Sequence, residues 1–288
     1  MLPARFEYHR PETLEEALAL LDQYAEDAKV LAGGMSFIPL MKLRFASPGH
    51  LVDINRIPEL SGISESGGRL IVKAVTRDND IAGSDLIRAR YPAMATAAPL
   101  IADPIVRNMG TIGGSLAHAD PAGDWGSVML ALGAGVVARS SGGERVIAID
   151  DLFMSTFTTT LQANEILTEI RIPSPPSRSG GTYLKLERKV GDFATVGVAV
   201  ALHLDNGHVG RAGIALTSVG PRNIQAREAE ASLAGAEPTA PAFAEAARLA
   251  AQAAQPVSDL RGSAEYKRNV VEVFTRRGLA RALELAQA

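Results

Sequence analysis

The stretch Ile101–Trp125, IADPIVRNMGTIGGSLAHADPAGDW, constrains this chain more than any other. It sets Gly110, Gly113, Gly114 and Gly123 beside Asp103, Asp120 and Asp124 without helical or strand periodicity. Glycine is used where a backbone bends through positive φ or approaches another group closely. Polar residues around such glycines, bounded by apolar runs, predict a functional loop. A plain tight turn at Thr111-Ile112-Gly113-Gly114 would use the same residues.

The chain before it supplies a second segment of the same kind. Thr13 is placed to cap a helix in which Leu14, Ala17, Leu18 and Leu21 recur at helical spacing. Lys29–Ala32 then predicts a buried strand running into Gly33-Gly34-Met35-Ser36, with a short helix over 37–44. A strand, a Gly-Gly turn and a helix start in succession gather free backbone N–H groups, an arrangement suited to an anion such as a pyrophosphate. Neither G-x-G-x-x-G nor the Walker pattern is present. Residues 51–54 predict another strand, 62–65 and 70–73 a hairpin around Gly67-Gly68, and 76–89 and 91–101 helical stretches.

After Trp125 the pattern predicts a buried helix over 126–132, paired strands over 135–139 and 144–148, a turn at 150–153 and a strand over 165–172. Pro173–Gly181, PSPPSRSGG, is the clearest linker. Beyond it, 183–188, 196–204 and 209–218 predict long strands, and Asp205-Asn206-Gly207 marks a hairpin. Helices follow over 225–233, 241–254 and 263–286. The organisation is α+β, divided as 1–55, 56–176 and 177–288.

A formal net charge of −3 and no basic block argue against nucleic acid as partner. The absence of cysteine excludes disulfides, thiolate nucleophiles and cysteine-ligated clusters on this chain. No apolar run approaches the roughly 18 residues of a membrane span, and the N-terminus lacks a signal-peptide core. The expected location is the cytoplasm, either free or peripheral at the inner face of the membrane. His9, His50, His118, His203 and His208 form no metal-ligand motif, so no metal site is expected, and no catalytic acid or base is assigned. Asp120 and Asp124 flank a Pro-Ala-Gly turn, where they could cap backbone N–H groups or accept ribose hydroxyls. Arg107 and Arg188 could serve a phosphate or a partner carboxylate, with solvated surface as their default reading. From these residues alone the chemistry extends to a nucleotide-type cofactor held between the first two domains.

Four motifs in order carry a resemblance: AGGMS at 32–36, IADP through RNMGTIGG at 101–114, KLERKVGDFAT at 185–195 and DLRGSAEY at 259–266. Together they resemble the FAD-binding medium subunit of the aerobic carbon monoxide dehydrogenase and xanthine dehydrogenase family of molybdenum hydroxylases, over essentially the whole chain. The resemblance implies two FAD-binding subdomains of the vanillyl-alcohol-oxidase (VAO/PCMH) type and a C-terminal domain of three-stranded antiparallel sheet and helical bundle. It implies that Ala32, Gly33, Gly34, Met35 and Ser36, with Thr111, Ile112, Gly113, Gly114 and Ser115, wrap the FAD pyrophosphate. Asp124 would hold the ribose, Asp120 would lie near the diphosphate loop, and Ile101, Ala102, Leu161 and Phe193 would approach the isoalloxazine. Family members often carry His at the position of Met35, Asn at that of Ser115, and Tyr or Trp at that of Phe193. Met35 retains the backbone N–H; Ser115 and Phe193 change what a side chain can donate.

The family's subunit passes electrons to an external acceptor through FAD, receiving them from two [2Fe–2S] clusters on a small iron–sulfur subunit and a molybdopterin cofactor on a large subunit. By resemblance the assembly is a dimer of heterotrimers, substrate choice lies on the large subunit, and the acceptor is a quinone or cytochrome rather than NAD. Two other readings fit the same residues: a stand-alone flavin oxidoreductase of this fold, and a scaffold that has lost FAD.

Overall fold

The computed structural model describes residues 2–288. The chain begins with β1 (Glu7–His9), α1 (Leu14–Tyr24), β2 (Ala28–Leu31), α2 (Phe37–Lys42) and β3 (His50–Asp53), and its strands form a parallel sheet in the order β1-β3-β2. Parallel neighbours need crossovers, which the two helices provide. Thr13 Oγ1 accepts the Glu16 N–H at 3.2 Å, and the stripe Leu14, Ala17, Leu18 and Leu21 is buried. β2 leads directly into Gly33-Gly34.

The middle unit opens with the hairpin β4 (Ile63–Ser66) and β5 (Arg69–Lys73), turned at Gly67 and Gly68, both at positive φ. Next come α3 (Asp78–Gly83), α4 (Asp85–Arg90) and α5 (Pro92–Ala97). The helical stretch predicted over 76–89, with Ser84 and Asp85 as its candidate caps, divides at Ser84, whose hydroxyl accepts the Ile87 N–H and starts α4. Pro99 ends regular helix early, leaving a single 3₁₀ turn over Ala98–Leu100.

Residues 101–125, expected as loop, are largely helical: they hold α6 (Pro104–Arg107), α7 (Ile112–His118) and the first residues of α8 (Asp124–Leu132). Helices this short leave no periodicity to detect. Their starts are set by caps: Asp103 Oδ1 takes the Val106 N–H at 2.9 Å and Thr111 Oγ1 the Gly114 N–H at 3.1 Å. There follow β6 (Gly135–Ser140), β7 (Gly143–Ala148), α9 (Ile149–Leu152) at the expected turn, β8 (Phe153–Ser155), β9 (Thr158–Thr159) and β10 (Ile166–Pro173). The antiparallel sheet has the order β4-β5-β10-β6-β7, so its last strand in sequence is its centre.

The linker proves shorter than its Pro, Ser and Gly content predicts, because β11 (Ser179–Leu186) already includes Gly180 and Gly181. A Cβ at Gly180 would fall 2.0 Å from the Ala282 carbonyl oxygen, so this glycine lets a helix lie on the strand. β12 (Val196–Asp205) and β13 (His208–Thr217) complete three long antiparallel strands, and the two-residue β14 (Ile224–Gln225) adds an edge. Asn206 and Gly207 make the hairpin at positive φ. α10 (Arg227–Leu233), α11 (Ala240–Ala253) and α12 (Ala264–Gln287) close the chain.

This sheet is buried on both faces. Val198, Val200, Ile214 and Leu216 join the core under the C-terminal helices, whereas Tyr183, Ala199 and Ala215 join the core of the middle unit with Trp125 and Val128. Strand alternation therefore welds the two units together. No described helix is long and apolar enough to cross a membrane.

Candidate functional site

The fold brings the two glycine segments into contact. A Cβ on Gly33 would sit 2.1 Å from the Met109 carbonyl oxygen, and one on Gly114 would sit 3.7 Å from Ala32 Cβ. Only a missing side chain allows that approach.

Two residues hold the seam. Asn55 Nδ2 donates to the Ala32 carbonyl at 2.6 Å and to Asp53 Oδ1 at 2.6 Å. The half-buried Arg77 guanidinium donates to Asn55 Oδ1 at 2.7 Å and also to the Met109 carbonyl. Asn55 thus grips the first segment, Arg77 the second, and they grip each other. No local pattern marks either residue, and the sequence reading gave them no role.

The segments are unequal as anion binders. The amides of α7 are spent within the chain: Ile112 donates to the Thr76 carbonyl at 3.3 Å, Gly113 to that of Ala74 at 2.9 Å, Gly114 to Thr111 Oγ1 and Ser115 to the Thr111 carbonyl at 3.0 Å. Among the described residues no acceptor in the chain meets the N–H of Gly33, Gly34, Met35 or Ser36. Gly34 has φ +74°, which turns this run of donors. The first segment offers charge-stabilising amides and the second a closely apposed wall.

A second cluster gathers at Ile101 and Ala102. Ala102 has φ +44°, and Arg107 Nη1 donates to the Ile101 and Ala102 carbonyls at 2.9 and 3.0 Å. Arg107 is therefore a brace, not the solvated side chain of its default reading. Gly191, at φ +84°, lies against Ala102, where a Cβ would be 3.2 Å from the carbonyl. Arg261 reaches the same loop, donating to Asp192 Oδ1 at 3.3 Å and to the Phe193 and Ala194 carbonyls at 3.4 and 3.3 Å. Phe193, two residues beyond Gly191 on this loop, is left 52% exposed. Leu161 is half-buried against the middle core, and its N–H donates to Thr159 Oγ1 at 3.4 Å rather than to this group.

Asp120 caps its turn, with Oδ1 accepting the Ala122 N–H at 2.9 Å. Asp124 is 7% exposed; Oδ1 accepts the Tyr183 hydroxyl at 2.6 Å and Oδ2 the Lys185 ammonium at 3.0 Å. Burial pushes the Asp124 carboxyl above its ordinary range, against the pull of Lys185, and raises the Tyr183 phenol well above its own. Each Asp124 oxygen keeps a second acceptor position. Lys185 also donates to the Leu100 carbonyl at 2.9 Å, tying β11 to the residue before Ile101. A lysine in the buried alternation of β11 must find a carboxylate, and that rule could have identified the pair. Asp78, 4% exposed, accepts Trp125 Nε1–H at 2.8 Å, and burial pushes its pKa to about 6. A Cβ on Gly110 would lie 2.4 Å from Asp78 Oδ2, placing this carboxyl under the second glycine segment.

Known proteins match this chain over nearly its whole length. Residues 4–175 match the family described as the FAD binding domain in molybdopterin dehydrogenase, and residues 181–282 the CO dehydrogenase flavoprotein C-terminal domain. The chain is 45% identical to the carbon monoxide dehydrogenase medium chain of Hydrogenophaga pseudoflava, with 97% of each covered. It is 39% identical to the 6-hydroxypseudooxynicotine dehydrogenase complex subunit alpha of Paenarthrobacter nicotinovorans, covering 100% of this chain and 97% of that one. A solved structure of carbon monoxide dehydrogenase from Hydrogenophaga pseudoflava superposes with a TM-score of 0.95 at 46% identity and 99% coverage of both chains.

Proposed function

This chain belongs to the FAD-binding flavoprotein family of the molybdopterin dehydrogenases, and we propose that it carries FAD between an iron–sulfur partner and an external electron acceptor. The observation that carries the reading is the run of unspent amides at Gly33–Ser36, pressed by Asn55 and Arg77 against Met109–Gly114. Four N–H donors on a glycine turn fit a diphosphate.

In this assignment Gly33, Gly34, Met35 and Ser36 bind the diphosphate, and Thr111–Ser115 enclose it. Asp124, aligned by Tyr183 and Lys185, accepts a ribose hydroxyl on its remaining lone pairs. Ile101 and Ala102, bent by Arg107, and Phe193, positioned by Arg261, pack against the ring system together with Leu161; Asp120 shapes the adjoining turn. FAD supplies the exchange of electrons; the protein supplies position, electrostatics and exclusion of water. No side chain of this chain is assigned as general acid or base.

Without cysteine this chain cannot ligate an iron–sulfur cluster in thiolates. The proposed partners are a small subunit with [2Fe–2S] clusters and a large molybdopterin subunit, assembled as a dimer of heterotrimers in the cytoplasm or at the inner face of the membrane. The proposed functional division is 1–55 and 56–176 for FAD and 177–288 for the C-terminal domain. Substrate choice is assigned to the large subunit: relatives named for carbon monoxide and for 6-hydroxypseudooxynicotine both match this chain over nearly its whole length. Purification with its partners tests the proposal. Co-elution with flavin, iron and molybdenum supports it, whereas a yellow monomer that alone turns over a small molecule would replace it with the stand-alone oxidoreductase.

A further inference from the structure

A small, half-open recess of about 70 Å³ lies in the seam between the middle unit and the C-terminal sheet. Its walls come from the start of α5 (Tyr91, Pro92), the end of α8 (Leu132), the connection after β10 (Pro173, Pro175) and the facing strands β11 to β13. It is remote from the proposed flavin site. Asp124 opens α8 and Leu132 ends it, which separates them by roughly 12 Å at the helical rise. Lys185 and Gly180 lie on β11 roughly 17 Å apart at the strand rise.

The lining is chemically one-sided. Its ionisable side chains are Arg90, His203, Arg211 and the buried Tyr91, and it includes no Asp or Glu. Arg90 is already paired with Glu65, whose carboxylate stands beside the recess. Arg211 makes no ion pair within 4.0 Å among the described residues, though its charge reaches the half-buried Glu230 carboxylate; one of its nitrogens donates to the Leu132 carbonyl at 3.3 Å. Ser179 Oγ lies 3.5 Å from His203 Nδ1. Prolines, Leu132 and the Tyr91 ring form the apolar floor. A small-molecule site typically combines a concave apolar surface with a few convergent polar groups, and a guanidinium without a directly bonded carboxylate favours one.

We propose that this recess binds a small carboxylate with an apolar, ring-sized body, its carboxylate at Arg211 and its body against Pro92, Leu132 and Pro175. Such a ligand touches both units at once. It therefore stabilises their junction without contacting the flavin, and the site stands whether or not the FAD assignment holds.

The test uses the purified flavin-loaded protein and benzoate as the probe, read by calorimetric titration and by thermal unfolding. One saturable site is expected, with a melting temperature that rises with benzoate and an unchanged flavin absorption band. Arg211→Gln, on an exposed side chain, is expected to weaken benzoate about tenfold or more, the loss of one charge-assisted contact. Arg211→Lys is expected to retain part of the affinity. Failure of benzoate to saturate, equal affinity in Arg211→Gln, or displacement of the flavin by benzoate would each overturn the proposal.

Discussion

Gly33 has no room for even a methyl group, since its Cβ would meet the Met109 carbonyl oxygen at 2.1 Å. Gly33→Ala therefore has to open the seam, and FAD affinity measured by flavin fluorescence quenching is expected to fall more than tenfold while the circular dichroism spectrum stays native. Arg77→Gln removes a charged donor from the Met109 carbonyl; at about 1.5–3 kcal/mol for such a bond, the same titration should show a loss of about ten- to a hundredfold. Asp78 has a pH consequence. Its folded pKa, about 6, lies above the ordinary value of 3.8, so the folded chain holds the extra proton. Stability conferred by that proton is present below about pH 4 and is lost as pH rises through about 6, on the order of 2–3 kcal/mol. Asp78→Asn, which keeps an acceptor for Trp125, should flatten the unfolding free energy between those pH values; an unchanged pH slope would remove this account of Asp78. At this scale the sequence displayed the glycines, because a Gly-Gly pair beside a strand end has few uses. It hid Asn55 and Arg77, whose roles exist only once residues distant in sequence meet.

The elements around the site depend on one buried ion pair. Lys185 on β11 reaches Asp124 at the start of α8 and the Leu100 carbonyl before Ile101, joining the C-terminal sheet to the bend at Ile101 and Ala102. Lys185→Met fills similar volume but strands a buried carboxylate, so destabilisation of about 3–5 kcal/mol is expected in denaturant unfolding. The double variant with Asp124→Asn should lose less than the sum of the two single losses, and strictly additive losses would show the pair to be uncoupled. Long elements were legible: α1, β12 and β13 announce themselves by period and by the Asn-Gly turn. The helices α6 and α7 were not, since four and seven residues are too few for a period and their signals are the single caps Asp103 and Thr111. The linker predicted over 173–181 is shorter in the structure because Gly180 and Gly181 mimic flexibility while serving close packing against α12 and α5.

Over the whole molecule, the C-terminal sheet does more than cover the flavin-binding units. Its Tyr183, Ala199 and Ala215 face belongs to the middle core, so the two halves should unfold together. A single calorimetric transition is expected, and two resolved transitions would contradict that coupling. This continuity was invisible in the sequence: strands buried on both faces appear only as long apolar runs, with nothing to say what lies on the second face. The proposed FAD site lies between Gly33–Ser36 and Thr111–Ser115. Its most direct test is the flavin content of the purified protein beside that of a Gly33→Val variant, read from the visible absorption spectrum. One FAD per wild-type chain and a folded but colourless variant are predicted; a colourless wild type, or a variant with full flavin, would contradict the account.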